Sequence, residues 1–433
     1  MNGNIFFLPS LRGGFWGIVA GILLLALTQS PVQAQEALRG SLAEDTTAAT
    51  LQQDQTTIGY YNLLLGPTAW RFASALNLTY NDNVNYEASG SESDFIIAPS
   101  VNTQMHWPVS LKNSLDVSVN VGYSEYVVHS SLSQFFITPG SGVSFDVYAD
   151  KIKINFHDQV TVSKYAYQNP GVAGNNQNLV SLQNVAGVSA LMGLEKGEVT
   201  VGYDHDNYAS LSGGQTQPAN GSDNIFANAG YNVLANLLAG VELGGSLING
   251  GQGSVSNTTP SAVQYSAGVF GSSQITEYMN VGVHVGYTIW NNDSNSGTNV
   301  TTTGSGFYFS ASLSHRVNQF FSYSLSAGRS TDLSGFGQPQ NQYYVQLSPV
   351  WNVSEKYTIG TSLSWRQGSE VDVVRGTQNN GDYDQYGLGL SVSRTLTRKL
   401  TGSLSYQFVK ETSSGGAAAY SDDIISLSFS YQF

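Results

Sequence analysis

The chain has 433 residues, of which 11% are charged and none is cysteine, and its formal net charge is -13. Soluble domains carry about 25% charged residues, so the composition argues against a soluble enzyme. The acidic balance argues against nucleic acid as a partner. Without cysteine the chain has no disulfide bond, no thiol chemistry and no acceptor for a lipoprotein acyl chain.

The N-terminus has the pattern of a secretory signal. An apolar run from Phe15 to Leu27 follows Arg12, and Val32-Gln33-Ala34 supplies small residues for cleavage before Gln35. The run is shorter than the roughly 20 apolar residues that a spanning helix needs. We therefore predict that residues 1–34 are a signal peptide and that the mature chain is exported. Residues 35–67 lack alternation, which predicts a periplasmic leader or, alternatively, a plug.

Residues 68–433 alternate apolar and polar side chains. About eighteen segments do so, each longer than the roughly 9 to 11 residues of a membrane-spanning strand. A membrane protein without spanning helices must close its strands into a barrel, because lipid cannot pair free backbone groups. The sequence predicts an all-β, antiparallel, up-and-down transmembrane β-barrel of about 18 strands, or of 16, with short periplasmic turns and long extracellular loops.

The connections support that count. Tight connections alternate with longer polar ones, as expected if both ends of the barrel lie in the periplasm. The tight connections are predicted near residues 108–113, 149–151, 194–197, 235–238, 275–279, 317–320, 354–356 and 397–399.

One predicted strand breaks the alternation. In the strand that begins at Ile152, Asp158 falls in register with the lipid-facing residues, where a carboxylate is unfavourable. We predict a β-bulge near His157 and Asp158 that turns the carboxylate away, or else a different register.

The inward positions are mostly small and neutral, which leaves room for water. Inward charged candidates are Arg71, Asp116, Lys153, Glu198, Asp204, Glu242, Arg316, Lys356 and Arg366. Inward aromatic candidates are Tyr148, Tyr308 and Tyr344. No dense arginine ladder faces an acidic loop, so we expect weak selectivity.

Catalysis has one candidate, Asp204-His205-Asp206. Neighbouring residues of a strand point to opposite faces, so His205 would be turned away from both carboxylates. We predict no enzymatic activity, no cofactor and no metal site.

The last strand ends on an aromatic residue, as outer-membrane barrels do. Phe429, Tyr431 and Phe433 share the apolar face and resemble the signal read by the barrel-assembly machinery. We predict that residues 425–433 pair with residues 69–80 and close the barrel.

Two short motifs carry a family resemblance. They are Tyr80-Asn81-Asp82-Asn83-Val84 and Asp94-Phe95-Ile96-Ile97-Ala98-Pro99. Here the chain resembles the beta-barrel porin-2 family, outer-membrane barrels often associated with exopolysaccharide loci. The resemblance implies a barrel that passes or exports a sugar polymer and supplies no binding residues. The Asn and Asp residues predict an external turn.

The leading hypothesis is a porin-like channel in the outer membrane of a Gram-negative-type bacterium, with passive, weakly selective passage of small hydrophilic solutes. The alternatives are an exopolysaccharide export barrel and a non-conducting surface receptor or scaffold. The expected partners are outer-membrane lipid and lipopolysaccharide, the barrel-assembly machinery, and a hydrophilic solute or polysaccharide.

Overall fold

The computed structural model describes residues 61–163, 180–211, 220–249, 261–293, 301–333, 339–372, 379–413 and 419–433. Their strands form one antiparallel sheet in which the last strand hydrogen-bonds to the first long strand. The sheet is therefore a closed β-barrel, as predicted. Among these residues no helix is long and apolar enough to cross a membrane. The predicted signal peptide and residues 35–60 lie outside the described residues.

The strands follow one another around the barrel in chain order. They are β1 (Leu63–Leu65), β2 (Thr68–Asn81), β3 (Asp94–Ser110), β4 (Asn113–Tyr126), β5 (Gln134–Ile137), β6 (Gly142–Ala149), β7 (Ile152–Ser163), β8 (Ser181–Leu194), β9 (Gly197–Ser210), β10 (Asn220–Leu234), β11 (Leu237–Asn249), β12 (Ser261–Thr276), β13 (Met279–Asp293), β14 (Thr301–Arg316), β15 (Phe321–Leu333), β16 (Pro339–Ser354), β17 (Tyr357–Asp372), β18 (Asn379–Thr395), β19 (Leu400–Ser413) and β20 (Tyr420–Gln432).

The barrel has 18 strands, which confirms the larger of the two predicted numbers. Two of the 20 labelled strands do not add to this number. The short β1 pairs only with the beginning of β2. β5 and β6 together occupy one strand position of the barrel, because both pair with β4 and with β7. Each of the eight predicted tight connections is present and has two or four residues. Because consecutive connections alternate between the ends of the barrel, these turns share one end, the short-turn end. The opposite end is the long-loop end.

Residues just before the predicted barrel boundary also join the sheet edge. Leu63–Leu65 turn back onto β2 through Gly66, whose φ of 60° suits glycine. The side-chain amide of Asn62 donates to the carbonyl oxygens of Phe72 at 2.8 Å and Phe433 at 3.1 Å. This part of the predicted leader therefore lies at the short-turn end, beside the C-terminus.

The two faces of the wall differ in the way the alternation predicts. On β13, Val285 and Ile289 are half exposed, whereas Thr288 and Trp290 are buried. Successive strand residues point to opposite faces, so the exposed apolar positions form the outer face and the alternate positions form the inner wall. An apolar outer face is what a barrel in lipid requires.

The closure between β20 and β2 is the predicted one. The register pairs Leu427 with Leu78 on the outer face. On the inner wall the Ser428 hydroxyl donates to Asn77 Oδ1 at 2.8 Å. The closing pair of strands therefore has the same apolar exterior and polar interior as the rest of the barrel.

The predicted bulge at Asp158 is wrong. β7 pairs with β6 and β8 without a register shift, and Asp158 stays on the outer face. Asn184 Nδ2 donates to Asp158 Oδ1 at 2.6 Å, which compensates one carboxylate oxygen without any change of register. The irregularity lies instead in the preceding barrel position, where residues 138–141 separate β5 from β6.

Adjacent residues of β19 test the assignment of the two faces. Leu404 is exposed on the outer face, and Ser403 lies on the inner wall opposite Ser393 and Ser428. We expect Leu404→Arg to lower the free energy of unfolding by about 2–4 kcal/mol, the cost of arginine in the middle of the lipid belt. Ser403→Arg should cost far less, because the inner wall is polar. Urea unfolding in lipid vesicles measures both, and equal losses would contradict the assignment.

Candidate functional site

A hydrogen-bonded network of charged and polar side chains crosses the inner wall from β6 to β9. Lys153 Nζ lies 2.9 Å from Asp146 Oδ2, and Asn155 Nδ2 donates to Asp146 Oδ1 at 2.8 Å. His157 lies between the two halves of the network, with Nδ1 2.9 Å from Asn155 Oδ1 and Nε2 2.8 Å from Asp204 Oδ1. Asp146 and Asp204 are buried, so their charges depend on these partners.

A glycine allows this network to pass over β8. Gly187 stands between His157 and Asp204 in the register. A Cβ atom at Gly187 would lie 1.7 Å from Asp204 Oδ1 and 2.7 Å from His157 Nε2. The contact between β7 and β9 therefore requires glycine on the strand between them.

A second contact between a histidine and a carboxylate lies beside this network. His106 Nδ1 is 2.6 Å from Asp116 Oδ1, and Asp116 is buried opposite Ser144. Sequence reasoning selected Asp116, Lys153 and Asp204 but not His106, Asp146 or His157. Parity could have placed those three on the inner wall, whereas their pairing depends on the register between strands.

Glu242 is the centre of another contact on the inner wall. It is 1% exposed, accepts a hydrogen bond from the Tyr308 hydroxyl at 2.7 Å, and lies 3.0 Å from His284 Nδ1. Glu242 belongs to β11 and Tyr308 to β14, so the phenol spans the two strands between them. Gly268 and Gly286 supply the space, since a Cβ atom there would lie 2.3 Å and 2.2 Å from the Tyr308 hydroxyl oxygen.

Aromatic rings lie over glycines elsewhere on the inner wall. In each case the ideal Cβ position of the glycine is within 3.0 Å of an atom of the ring or its hydroxyl. A ring that lies along the wall takes less of the lumen than one that points into it. The pairs are Phe136 over Gly122, Phe226 over Gly202, Phe270 over Gly240, Trp290 over Gly304, Tyr344 over Gly328 and Tyr383 over Gly368.

The first family-like motif folds inward at the long-loop end. Asn83 and Val84 are almost fully buried, and Asn83 Nδ2 donates to the carbonyl oxygen of Ser421 at 2.9 Å. The Tyr86 ring packs edge-on against Tyr420, with ring centroids 5.4 Å apart. The predicted external turn is therefore part of a loop, residues 82–93, that packs against the start of the last strand at this end of the barrel.

His129, in the next loop of this end, contacts both residues 82–93 and the start of β3. His129 Nδ1 is 3.0 Å from Asp94 Oδ2, and His129 Nε2 is 3.0 Å from Glu92 Oε2. Asp94 also accepts hydrogen bonds from the backbone N–H groups of Val128 and His129. The inward fold of residues 82–93 is thus fixed from two sides.

The other predicted lumen candidates are spread over the wall. Arg366 stands between Tyr344 and Gln385 in the register, and Gln385 Nε2 donates to Glu411 Oε2 at 3.0 Å. Arg71, Glu198 and Arg316 occupy inward positions of β2, β9 and β14, and Tyr148 lies at the end of β6, 5.4 Å from Lys153 Nζ.

Lys356 differs from its prediction. It lies in the turn between β16 and β17, where it is exposed. The alternation of a strand no longer applies in a two-residue turn, so parity did not determine its direction.

The remaining motifs keep the orientation that parity predicts. Asp204 and Asp206 are buried on the inner wall, whereas His205 Nδ1 lies 2.8 Å from Asp223 Oδ1 on the outer face. Phe429, Tyr431 and Phe433 share the outer face, and the rings of Tyr431 and Phe433 meet at 5.4 Å. In the part of the chain that the structure describes, no group of three or more His, Cys, Asp or Glu side chains could hold a metal ion.

The chain matches no protein-family model and no curated protein, so the resemblance in residues 80–99 stays a prediction. Solved structures match over most of the chain. OccK2 (OpdF) of Pseudomonas aeruginosa in complex with glucuronate has a TM-score of 0.50 and 10% identity, over 85% of this chain and 99% of that one. OccAB3 of Acinetobacter baumannii has a TM-score of 0.46 and 9% identity, over 85% and 100%. At 10% identity the likeness to OccK2 concerns the fold, which is an outer-membrane porin barrel.

Two glycines of β12 test the contact between Glu242 and Tyr308. Gly268→Ala places a methyl group against both side chains, so we expect the free energy of unfolding to fall by about 1–3 kcal/mol, the usual cost of overpacking. Gly271→Ala is the matched control, because its Cβ atom meets nothing closer than 4.0 Å. Urea unfolding followed by fluorescence compares them. A Gly268→Ala variant as stable as the control would contradict the close contact.

The buried pair of Lys153 and Asp146 permits a double-mutant cycle. Lys153→Met leaves the Asp146 carboxylate buried without its cation, and we expect a loss of about 3 kcal/mol in the free energy of unfolding. Lys153→Met combined with Asp146→Asn should lose clearly less, because no buried charge remains. Additive losses in the urea unfolding of the two single variants and the double variant would show that the pair is not coupled.

Proposed function

We propose that the chain forms a channel through the outer membrane of a Gram-negative-type bacterium and lets small hydrophilic solutes pass passively. The observation that carries this proposal is a closed barrel of 18 strands with an apolar outer face and a polar inner wall. Barrels of 16 to 18 strands enclose an aqueous channel. A polar wall keeps the passage of a hydrated solute favourable.

One solved structure with the same fold supports this function. OccK2 (OpdF), which shares the fold, is recorded in complex with glucuronate. A barrel of this shape therefore accommodates a small polar solute. Among the described residues of this chain, the inward cations are spread over separate strands and do not cluster; they are Lys153, Arg71, Arg316 and Arg366.

The charges of the inner wall favour weak selectivity with a modest preference for cations. Buried carboxylates on the wall include Asp116, Asp146, Asp204 and Glu242, and each has a lysine, histidine or tyrosine partner. Paired charges create a weaker field in the lumen than free ones. Glu198, at an inward position of β9, is an exposed negative charge.

The outer face suggests the remaining partners. Exposed apolar side chains would contact lipid and, at the long-loop end, lipopolysaccharide. Phe429, Tyr431 and Phe433 lie together on the outer face of the last strand, where the barrel-assembly machinery could read them. The inward fold of residues 82–93 favours one alternative, a non-conducting surface receptor or scaffold barrel. Export of an exopolysaccharide is the other alternative.

Planar-bilayer recording tests the channel. We expect purified protein to give stable stepwise openings, and a salt gradient to give a reversal potential that indicates a small cation preference. Glu198→Gln should move that potential toward zero, because it removes an exposed charge from the lumen. Glu125→Gln, on the outer face of β4, should leave the potential unchanged.

Silent bilayers with a correctly folded barrel would contradict the channel. If deletion of the gene then abolished the export of a polysaccharide, the export alternative would be correct. If it did not, the receptor or scaffold alternative would remain.

A further inference from the structure

Four neighbouring side chains of the inner wall have polar atoms without a partner. Asn224, Ser246, Gln264 and Trp290 lie directly opposite one another on β10, β11, β12 and β13. Their exposed fractions are 0%, 4%, 6% and 7%. Among the described residues, no hydrogen-bond partner exists for Asn224 Oδ1, Ser246 Oγ, Gln264 Oε1 or Trp290 Nε1. We call these four residues the unpaired row.

Such a row requires a physical explanation. Buried polar groups almost always find a partner in the protein or in ordered solvent, because an unpaired one loses its hydration without compensation. The backbone register through the row is continuous, so a local irregularity does not explain it. Elsewhere on the wall Asp204 and Glu242 are paired, although single atoms such as Asp206 Oδ1 and Asp422 Oδ1 also have no partner among the described residues. The described residues leave these four atoms unsatisfied, so their hydrogen bonds are open to another molecule.

The chemistry of the row selects the ligand. Asn224 Oδ1, Gln264 Oε1 and the Ser246 hydroxyl accept hydrogen bonds, whereas Trp290 Nε1 only donates. A ligand for this row must therefore present several donors and at least one acceptor. Asp204 continues the row on β9, and its carboxylate disfavours an anionic ligand. These requirements describe a solute with many hydroxyl groups and no negative charge.

The geometry fits a chain of hydroxyl groups. Neighbouring strands are about 4.8 Å apart, so the polar atoms of the row recur at roughly that spacing along the wall. Two aromatic rings flank the row. The Trp290 indole lies over Gly304, and the Phe226 ring, two residues from Asn224 on the same face, lies over Gly202. Both rings are buried, with exposed fractions of 7% and 3%, so the hydrogen-bonding atoms of the row select the ligand and the ring faces do not.

We propose that the unpaired row is a binding subsite for a neutral, polyhydroxylated solute, a short linear saccharide. The subsite rests on the proposed function only in that the solute reaches it through the lumen. It gives the channel a substrate preference that the charges of the wall alone would not provide. A uronate, which bears a carboxylate, should bind here less well than a neutral sugar of the same length.

Tryptophan fluorescence of the folded full chain in detergent tests the subsite. The probe is maltotriose, a neutral linear trisaccharide. We expect a saturable change in emission that disappears in Trp290→Phe, which keeps a ring but removes the indole N–H. Gln264→Ala should raise the half-saturating concentration about fivefold to tenfold, the effect of one lost hydrogen bond. The control Gln104→Ala deletes an amide from the inner face of β3 and should leave the half-saturating concentration unchanged.

The other outcomes overturn the subsite. Absence of a saturable change, or the same change in Trp290→Phe, would show that the row binds water only. Equal affinity for a trigalacturonate would contradict the preference for a neutral solute. Binding of spermidine in place of maltotriose would assign the row to cations.

The assay requires no conductance, so the two proposals can fail separately. Saccharide binding with silent bilayers would contradict the channel but not the subsite. Stepwise conductance without saccharide binding would contradict the subsite but not the channel.

Discussion

The whole structure depends on closing the backbone hydrogen-bond ladder. In lipid an open sheet edge leaves N–H and C=O groups without partners, at a cost that no side chain can offset. Pairing of β20 with β2 removes both edges. Once the ladder is closed, strand alternation divides every side chain between lipid and lumen. The polarity of the wall, the positions of the turns and the inner networks all follow from that division.

Glycines on the inner wall allow side chains of non-adjacent strands to form connected networks. Side chains on one strand normally meet only those directly opposite, but Gly187, Gly268 and Gly286 open gaps through which residues two or three strands apart make contact. His157 reaches Asp204, and Tyr308 reaches Glu242, in this way. These side-chain contacts link non-adjacent strands, in addition to the backbone hydrogen bonds between neighbouring strands. They also hold aromatic rings against the wall, which leaves more of the lumen to solvent.

The wall therefore combines two kinds of polar surface. Charged groups such as Asp146 and Glu242 are buried and have protein partners. The unpaired row has the opposite character, because its groups are neutral and four of their polar atoms have no partner among the described residues. A channel with both kinds of surface can be weakly selective for charge and still prefer a particular class of neutral solute.

The sequence by itself determined the barrel, its eight tight turns, the closing pair of strands and a strand number of 18 or 16, because all of these follow from period-two alternation and from the need to pair every backbone group in lipid. The structure decided for 18. It also placed residues such as Asp116 and Glu242 on the inner wall by parity. Only the tertiary structure decided which inward residues meet, since that depends on the register between strands and on glycines in the strand between. Asp158 kept its outward register because Asn184, on the neighbouring strand, pairs with it. Residues 82–93 fold inward for the same reason, since their partners Ser421 and Tyr420 are distant in sequence and become neighbours only when the barrel closes.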